Sequence, residues 1–232
     1  MAWKQGEGFR VALNRHSTAV LLSLGGILLA LCIRNYEKPA RDMEFAVSSV
    51  VSVEDESGCV SGSGFILEGG EYAITAYHVV DDYAKKGKEI LLRRKHRMAD
   101  EVTMVKFNRH FDIALLKFKR KQPRGLRVVS ETTMRQGDRV YAIGHPYGIT
   151  WMVTEGIITR MAYWPPNPNG SQYMVWTDAW IENGSSGGPL INSNGDVVGL
   201  VVAFANPKIA GFASHLNLCI AGSEMLRFLD EP

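Results

Sequence analysis

Short apolar runs separated by turn sequences dominate the chain from residue 45 onward. The runs are rich in β-branched and aromatic residues, and Gly, Asn and Pro lie between them, which is typical of strands joined by tight turns. Only residues 78–87 and 222–231 have the periodicity of helices, the second with Ser223 as its expected cap. The pattern predicts an all-β fold of the barrel or sandwich class. The strand-like runs are AVSSVVSV, GSGFIL, YAITAY, EILLRR, EVTMVKF, DIALLKF, RVYAIG, MVTEGIITRMAYW, YMVWTDAW and VVGLVVAF.

Residues 17–33 (STAVLLSLGGILLALCI) form an uncharged stretch flanked by Arg15 and Arg34. As a helix this stretch spans about 25 Å, close to the roughly 30 Å of a hydrocarbon core. No polar residue recurs every three or four positions, which favours a membrane segment over a buried core helix. A small-x-small cleavage pattern is missing, so we expect an uncleaved anchor. Lipidation of Cys32 is not favoured, because Leu31 stands where a lipoprotein box has a small residue.

The chain therefore divides into four parts. We expect a short tail over residues 1–16, a transmembrane anchor over 17–33, a polar tether over 34–44 and one soluble domain over 45–232. Three basic residues lie close to each end of the anchor, so the positive-inside rule does not fix its orientation.

Composition excludes several functional classes. Hydrophobic residues make up 46% and charged residues 22% of the 232 positions, which is the mixture of a folded protein. A net charge of +2 gives no footprint for nucleic acid, so no nucleic-acid partner is expected. Three cysteines are too few and too scattered for a zinc site or a disulfide framework. Cys59 and Cys219 either pair or stay free, and their spacing does not decide between the two.

The segment Gly184-Ser185-Ser186-Gly187-Gly188-Pro189-Leu190 combines a serine with several glycines. Glycines allow a tight loop whose backbone approaches a ligand closely. Acyl transfer needs a hydroxyl on such a loop, with neighbouring N–H groups aimed at one point. A plain turn between strands is the alternative, and the following Pro-Leu and hydrophobic run make the catalytic interpretation more specific.

Two further residues have chemistry that a serine hydroxyl needs. His78 lies at a predicted strand-to-helix transition, where an imidazole can face a cleft and act as a general base. Asp112 opens an apolar strand, where a buried carboxylate requires a partner. That partner is either a backbone N–H, a cation such as Arg109, or the imidazole of a histidine. The order His, Asp, Ser matches that of chymotrypsin-type proteases.

These motifs resemble those of trypsin-like serine proteases, most closely the HtrA (Deg) family. The likeness extends through GSGFIL, TAYHVVDD, FDIALLK, QGDRVYAIGHPYG, VTEGIITR, TDAWIENGSSGGPLINSNGDVVGLVVA and GFAS. The resemblance implies two six-stranded antiparallel β-barrels over residues 45–232, with the active site between them.

By motif match, His78 is the expected general base, Asp112 its orienting carboxylate and Ser186 the nucleophile of a serine endopeptidase. The oxyanion hole is expected at Gly184, Ser185 and Ser186, from the N–H groups of the first and last. The resemblance implies no metal or organic cofactor, protein or peptide substrates, and a role in protein quality control or regulatory proteolysis.

The resemblance also implies a location and an assembly state. Such proteases are exported or anchored with the catalytic domain outside the cytoplasm, so we expect a single-pass membrane protein with a periplasmic or other extracytoplasmic domain. Lipid contacts are expected through residues 17–33. A homotrimer is consistent with the family, although no residue pattern requires it.

The chain departs from the family pattern at several positions. Ser185 replaces the usual Asn before the serine, and His145 replaces the usual Asn of the IGNPFG turn, where we expect a turn residue and not a second base. Only 46 residues follow Ser186, so we expect no PDZ domain after the protease domain.

The expected substrate pocket consists of Trp180, Val202, Ala203 and Phe204. Trp180 lies six residues before the nucleophile, at the base of the pocket in this fold, and Phe204 stands where an open pocket has a small residue. Two aromatic residues predict a shallow pocket for small or medium aliphatic side chains. The alternative is that Trp180 packs into the barrel core and leaves the pocket open.

Two other functions remain open at this stage. One is a catalytically silent binding or chaperone module that keeps the fold, and the other is a protease that processes only itself. The intact His, Asp and Ser argue against the silent module, because an inactive relative would commonly have lost one of them.

Overall fold

The structure is a computed structural model that describes residues 43–164, 172–204 and 216–231. The predicted anchor, residues 17–33, lies outside these ranges. Within them, no helix is both long enough and apolar enough to cross a membrane.

Two closed barrels, each with six antiparallel strands, form the described part of the chain. Their strand orders correspond: β1-β2-β3-β6-β5-β4 in the first barrel and β7-β8-β9-β12-β11-β10 in the second. This confirms the predicted all-β fold with two barrels. The strands are β1 (Val50–Glu54), β2 (Val60–Ile66), β3 (Tyr72–Ala76), β4 (Ile90–Arg94), β5 (Ala99–Asn108), β6 (Ile113–Phe118), β7 (Arg139–Gly144), β8 (Met152–Trp164), β9 (Gln172–Thr177), β10 (Pro189–Asn192), β11 (Val197–Phe204) and β12 (Asn217–Ala221).

Three hydrophobic clusters stabilise this arrangement. One fills the first barrel and contains Leu92 and Leu116, and another fills the second and contains Ile158 and Val198. The largest cluster includes residues of both barrels, such as Phe65 on β2. The barrels therefore share a buried apolar face, and side chains that lie beside it are held away from water.

Besides the helical residues 43–49, two α-helices accompany the barrels. Helix α1 (Tyr77–Lys86) follows β3 directly and ends at Gly87, whose φ of 62° gives the left-handed conformation that glycine favours at a helix end. Helix α2 (Gly222–Asp230) follows β12 and packs Met225 and Phe228 into the shared core. Both helices were expected from the sequence.

The capping of helix α2 differs from the prediction. Ser223 does not cap the helix with its own side chain. Its backbone N–H and its hydroxyl instead donate to the two carboxylate oxygens of Glu131, each at 2.9 Å. Glu131, 92 positions earlier in the chain, therefore accepts the hydrogen bonds of Ser223 in the first turn of the helix. A partner so distant could not be predicted from the local sequence.

The first predicted strand is also shorter than expected. Residues 43–49 are helical, and β1 begins only at Val50. The hydroxyls of Ser48 and Ser49 both donate to the carbonyl of Phe45, at 2.8 and 2.9 Å, a bond that suits a helical backbone. Burial of Ala46 and Val47 against the shared core outweighs the strand preference of Val47.

Neighbouring isoleucines on β8 provide a test of the core. Ile158 is fully buried in the second barrel, whereas Ile157 is 41% exposed. We expect Ile158→Ala to lower the free energy of unfolding by about 2–5 kcal/mol, because it leaves a cavity. We expect Ile157→Ala to change it by less than about 1 kcal/mol. Urea unfolding of the two variants measures both values, and equal losses would contradict the assigned faces of β8.

Candidate active site

His78 and Asp112 form a two-point contact at the edge of the first barrel. One carboxylate oxygen of Asp112 accepts the backbone N–H of His78 at 2.8 Å. The other lies 2.7 Å from Nδ1 of the imidazole. The carboxylate therefore fixes both the backbone and the ring of His78, with Nε2 left available on the far side of the ring.

The local backbone explains how these side chains meet. His78 is the second residue of α1, immediately after β3. Asp112 precedes β6, the neighbour of β3, and has a φ of 55°, a left-handed conformation that aspartate tolerates better than most residues. The partner of Asp112 is thus His78 and not Arg109. Both side chains reach solvent, with 49% of His78 and 30% of Asp112 exposed.

Ser186 lies on the loop before β10 in the second barrel and faces the same region. Its carbonyl accepts the N–H of Ser63 on β2 at 2.8 Å. A Cβ placed on Gly62 would lie 3.1 Å from that carbonyl and 2.7 Å from the side chain of Val79, the residue after His78. The structure therefore brings Ser186 to the side of the first barrel that carries His78.

The hydroxyl of Ser186 has a hydrogen-bond partner other than the imidazole of His78. It donates to the carbonyl of Val202 at 3.4 Å, and among the described residues no hydrogen bond joins it to His78. An O–H···O bond of that length is weak, so the hydroxyl is held only loosely.

Two glycines of this loop are structurally required. Gly184 and Gly187 have φ values of 99° and 86°, which a residue with a Cβ rarely adopts. A Cβ on Gly187 would also lie 2.1 Å from the carbonyl of Ser63. The glycines predicted to form a tight loop therefore permit both its curvature and its close contact with the first barrel.

The amides of this loop differ in their hydrogen bonding. The N–H groups of Ser185, Gly187 and Gly188 donate to carbonyls of Glu182, Val201 and Ser185 at 2.9, 2.7 and 3.0 Å.

Those of Gly184 and Ser186, in contrast, have no hydrogen-bond partner within the described residues. Two free donors on one tight loop are what stabilisation of an oxyanion requires.

The predicted substrate-pocket residues are described only in part. Trp180 is 45% exposed, so it does not pack into the barrel core as the alternative proposed. Its carbonyl accepts the hydroxyl of Thr154 at 2.8 Å. Val202 is half-buried, and its carbonyl accepts the hydrogen bond from the Ser186 hydroxyl. The side chains of Ala203 and Phe204 lie outside the described residues, so the pocket stays a prediction.

The polar group formed by Ser63 and His145 was not found from the sequence. Both side chains are completely buried. The Ser63 hydroxyl lies 2.9 Å from Nδ1 of His145 and donates to the carbonyl of Gly184 at 2.7 Å. His145 does lie at a turn, as expected, but it also contacts the other barrel through Ser63. No local pattern signals this contact, because the two residues are 82 positions apart.

Cys59 and Cys219 are both free, which answers the open question of their pairing. Cys59 is exposed, whereas Cys219 is fully buried in β12, where burial raises the pKa of its thiol. Within the described ranges, no group of three or more His, Cys, Asp or Glu residues could hold a metal ion.

An open groove of about 330 Å³ lies beside His78. Ser61, Val79 and Tyr83 contribute to its walls, and charged side chains of both signs surround it. An extended segment could therefore lie against His78 without entering a deep cavity.

The sequence of this chain is similar to those of known peptidases. The trypsin-like peptidase domain matches residues 62–200. The chain is 36% identical over 139 residues to a probable periplasmic serine endoprotease DegP-like of Pseudomonas putida (strain W619), covering 60% of this chain and 28% of that protein. It is 31% identical over 193 residues to Protease Do-like 5, chloroplastic, of Arabidopsis thaliana, covering 78% and 60%. The chain thus spans only about a third or less of the DegP-like relatives it matches.

Two solved structures share the fold, each with a TM-score of 0.68 and 22% identity over 81% of this chain. One is a mutant of Rv3671c from M. tuberculosis H37Rv in an inactive form, covered to 88%. The other is the HtrA-type protease AlgW with a decapeptide, covered to 65%.

The chain belongs to the trypsin-like peptidase family. Its relatives include DegP-like and HtrA-type proteases, which confirms the resemblance expected from the sequence.

Titration of His145 provides a pH-dependent test of this region. Burial lowers the pKa of His145 from 6.5 to about 4, so the folded protein binds this proton less readily than the unfolded chain. The resulting stability is complete above pH 6.5 and is lost as the pH falls towards 4, by about 3 kcal/mol in total.

We therefore expect the difference in unfolding free energy between wild type and His145→Asn to shrink as the pH falls through this range. Urea titrations at a series of pH values measure it. A difference that does not vary between pH 7 and 4 would show that His145 is not buried in its neutral form.

Proposed function

We propose that this chain is a serine endopeptidase in which Ser186 is the nucleophile, His78 the general base and Asp112 the residue that orients it. The observation that carries the proposal is the two-point contact of Asp112 with His78, which holds the imidazole in one tautomer and orientation. The position of Ser186 on a glycine-rich loop that faces the same side of the first barrel supports its assignment as the nucleophile.

In the first half of the reaction, Ser186 Oγ attacks the carbonyl carbon of the scissile peptide bond and passes its proton to Nε2 of His78. The carbonyl electron pair moves to oxygen and forms a tetrahedral oxyanion. When this intermediate collapses, the C–N bond breaks, the amine takes the proton from Nε2, and an acyl-enzyme remains. Asp112 stabilises the imidazolium between these two proton transfers.

In the second half, water attacks the acyl carbon and passes a proton to Nε2 of His78. Collapse of the second oxyanion breaks the bond to Ser186, whose oxygen recovers that proton, and releases the new carboxyl terminus. In both halves we assign the N–H groups of Gly184 and Ser186, on either side of Ser185, to the oxyanion. Their lack of other partners within the described residues supports this assignment.

A catalytically silent binding module is the second candidate function. The observation in its favour is the hydrogen bond of the Ser186 hydroxyl, which is directed at Val202 and not at His78. At 3.4 Å this bond is weak, and catalytic hydrogen bonds in free enzymes often form only when substrate binds. The protease is therefore the better-supported function, and a protease confined to processing itself is a special case of it.

For the substrate pocket we propose Trp180, Val202, Ala203 and Phe204, with a preference for cleavage after small or medium aliphatic residues. The large exposed part of Trp180 supports a pocket narrowed by this ring. Unfolded or membrane-proximal proteins are the substrates that fit an open cleft.

We propose in addition that residues 17–33 anchor the protein in a membrane, with the tether 34–44 leading to an extracytoplasmic catalytic domain. The periplasmic location in the names of the DegP-like relatives supports an extracytoplasmic position for the catalytic domain. A homotrimer belongs to the same proposal.

Labelling of the full-length protein with a fluorophosphonate probe tests the proposed function. We expect wild type to be labelled, Ser186→Ala not to be labelled, and His78→Ala to react at least about 10³ times more slowly because its base is missing. Ser61→Ala is the matched control, since this exposed serine lies beside the same groove. Folded wild type that stays unlabelled even after addition of unfolded protein would favour the binding module.

The pocket proposal has its own measurement. Peptide-library profiling should show cleavage after Ala or Val in wild type. Trp180→Ala should raise cleavage after larger apolar residues by roughly tenfold relative to Ala, because it opens space for them. Tyr163→Ala removes an exposed aromatic residue of β8 and serves as the control. Strong cleavage after Lys or Arg by wild type would refute the narrowed apolar pocket.

A further inference from the structure

We propose that Ser63 and His145 form a buried hydrogen-bonded clamp that positions the amide of Gly184 for the oxyanion. This inference rests on the proposed serine endopeptidase function. Ser63 and His145 are positioning residues, since neither contacts the reacting atoms.

Ser63 is the point at which the first barrel holds the loop of the second. Its N–H donates to the carbonyl of Ser186 at 2.8 Å, and its hydroxyl donates to that of Gly184 at 2.7 Å. A single residue thus binds the carbonyl groups of both proposed oxyanion-hole residues. Its own carbonyl is fixed by the hydroxyl of Thr75 on β3 at 2.6 Å, so this anchor is rigid.

Because peptide groups are planar, hydrogen bonds to the neighbouring carbonyls also fix the direction of the Gly184 N–H. The Gly184 N–H lies in the same peptide plane as the Asn183 carbonyl and points the opposite way. That carbonyl accepts the N–H of Tyr147 at 2.7 Å. Ser63 holds the next peptide plane through the Gly184 carbonyl. With both planes fixed, Gly184 is kept at its φ of 99°.

His145 joins the two loops that contribute these bonds. Its N–H donates to the Ser63 hydroxyl at 3.0 Å, and its carbonyl lies 2.4 Å from the position that a Cβ of Gly184 would occupy. The turn of residues 145–148 therefore packs directly on Gly184, and the same turn carries the Tyr147 amide.

The donors and acceptors around the Ser63 hydroxyl determine the tautomer of the His145 imidazole. The Gly184 carbonyl can only accept, so the single proton of the Ser63 hydroxyl is directed to it. The His145 backbone N–H can only donate, and it uses one lone pair of the hydroxyl. Nδ1 must therefore carry a proton and donate to the other lone pair at 2.9 Å. Nε2 is then an unprotonated acceptor, buried and without a partner among the described residues.

Removal of the Ser63 hydroxyl leaves three polar groups without this partner: the half-buried Gly184 carbonyl and the buried N–H and Nδ1–H of His145. The loop can relieve this only by shifting, because buried unpaired groups are strongly unfavourable. A shift of Gly184 moves its N–H away from the oxyanion while the groove beside His78 stays as it is. The loss should therefore fall on kcat and on formation of tetrahedral adducts, with little change in KM.

The first experiment compares Ser63→Ala with Ser52→Ala in the full-length protein. Ser52 is the residue opposite Ser63 in the β1–β2 ladder, is equally buried, and donates its hydroxyl to Glu54 at 2.6 Å without contacting the loop. The second-order rate of fluorophosphonate labelling, together with kcat and KM for a cleaved peptide, provides the measurements. We expect Ser63→Ala to lower the labelling rate and kcat by about 10–100-fold, with KM within about threefold. Ser52→Ala should stay within about threefold of wild type.

A second pair of variants tests the clamp without altering Ser63, in case Ser63→Ala does not fold. An Asn side chain at position 145 retains an N–H donor for the Ser63 hydroxyl, whereas Leu has none. We expect His145→Asn to label at nearly the wild-type rate and His145→Leu to label about tenfold or more slowly.

The outcomes separate this inference from the proposed function. If wild type is labelled and Ser63→Ala behaves like Ser52→Ala, or His145→Leu like His145→Asn, the clamp is refuted while the protease stands. If wild type is not labelled under any condition, the proposed function fails first and the clamp with it.

Discussion

Ser63 on the first barrel donates its N–H to Ser186 and its hydroxyl to Gly184 on the second, at 2.8 and 2.7 Å. His78 and Asp112 belong to the first barrel, so the proposed nucleophile must be aligned with them across an interface between two separate sheets. The hydrophobic cluster that both barrels share brings these surfaces together but has no directional preference. The hydrogen bonds of Ser63 fix the orientation of the Ser186 loop relative to the first barrel, because hydrogen bonds tolerate only small displacements.

Burial gives these hydrogen bonds their importance. Ser63 and His145 are fully buried, and the Trp151 ring and the imidazole pack edge to face, 5.2 Å between ring centroids. Water cannot replace a bond lost here, so the polar groups either stay paired or force the loop to move. His78 and Asp112, in contrast, are partly exposed, as their proposed role in proton exchange with substrate requires. The candidate site thus combines accessible residues proposed to react with buried residues that hold the loop.

The sequence predicted the class of fold and indicated the candidate site residues, but it did not indicate the buried contacts that hold the loop of Ser186. Alternating strands, the His78 helix and the glycine loop around Ser186 are local patterns, and the family resemblance joined them. Helical residues 43–49 were missed because burial against the shared core outweighed their strand propensity. The contacts of Ser63 with His145 and Gly184 join residues 82 and 121 positions apart, and a serine in a strand has many potential partners. Such distant polar contacts emerge only from the folded chain.

The strands of each barrel are contiguous in sequence, with the first barrel ending at Phe118 and the second beginning at Arg139. Chains fold progressively from the amino terminus as they leave the ribosome. His78 and Asp112 can therefore come together while Ser186 has still to be synthesised. A nascent chain of this design contains the proposed acid–base pair but not the proposed nucleophile, and even a complete chain has no aligned site until its barrels dock. For the proposed endopeptidase, synthesis can thus proceed without premature cleavage of the chain or of its neighbours.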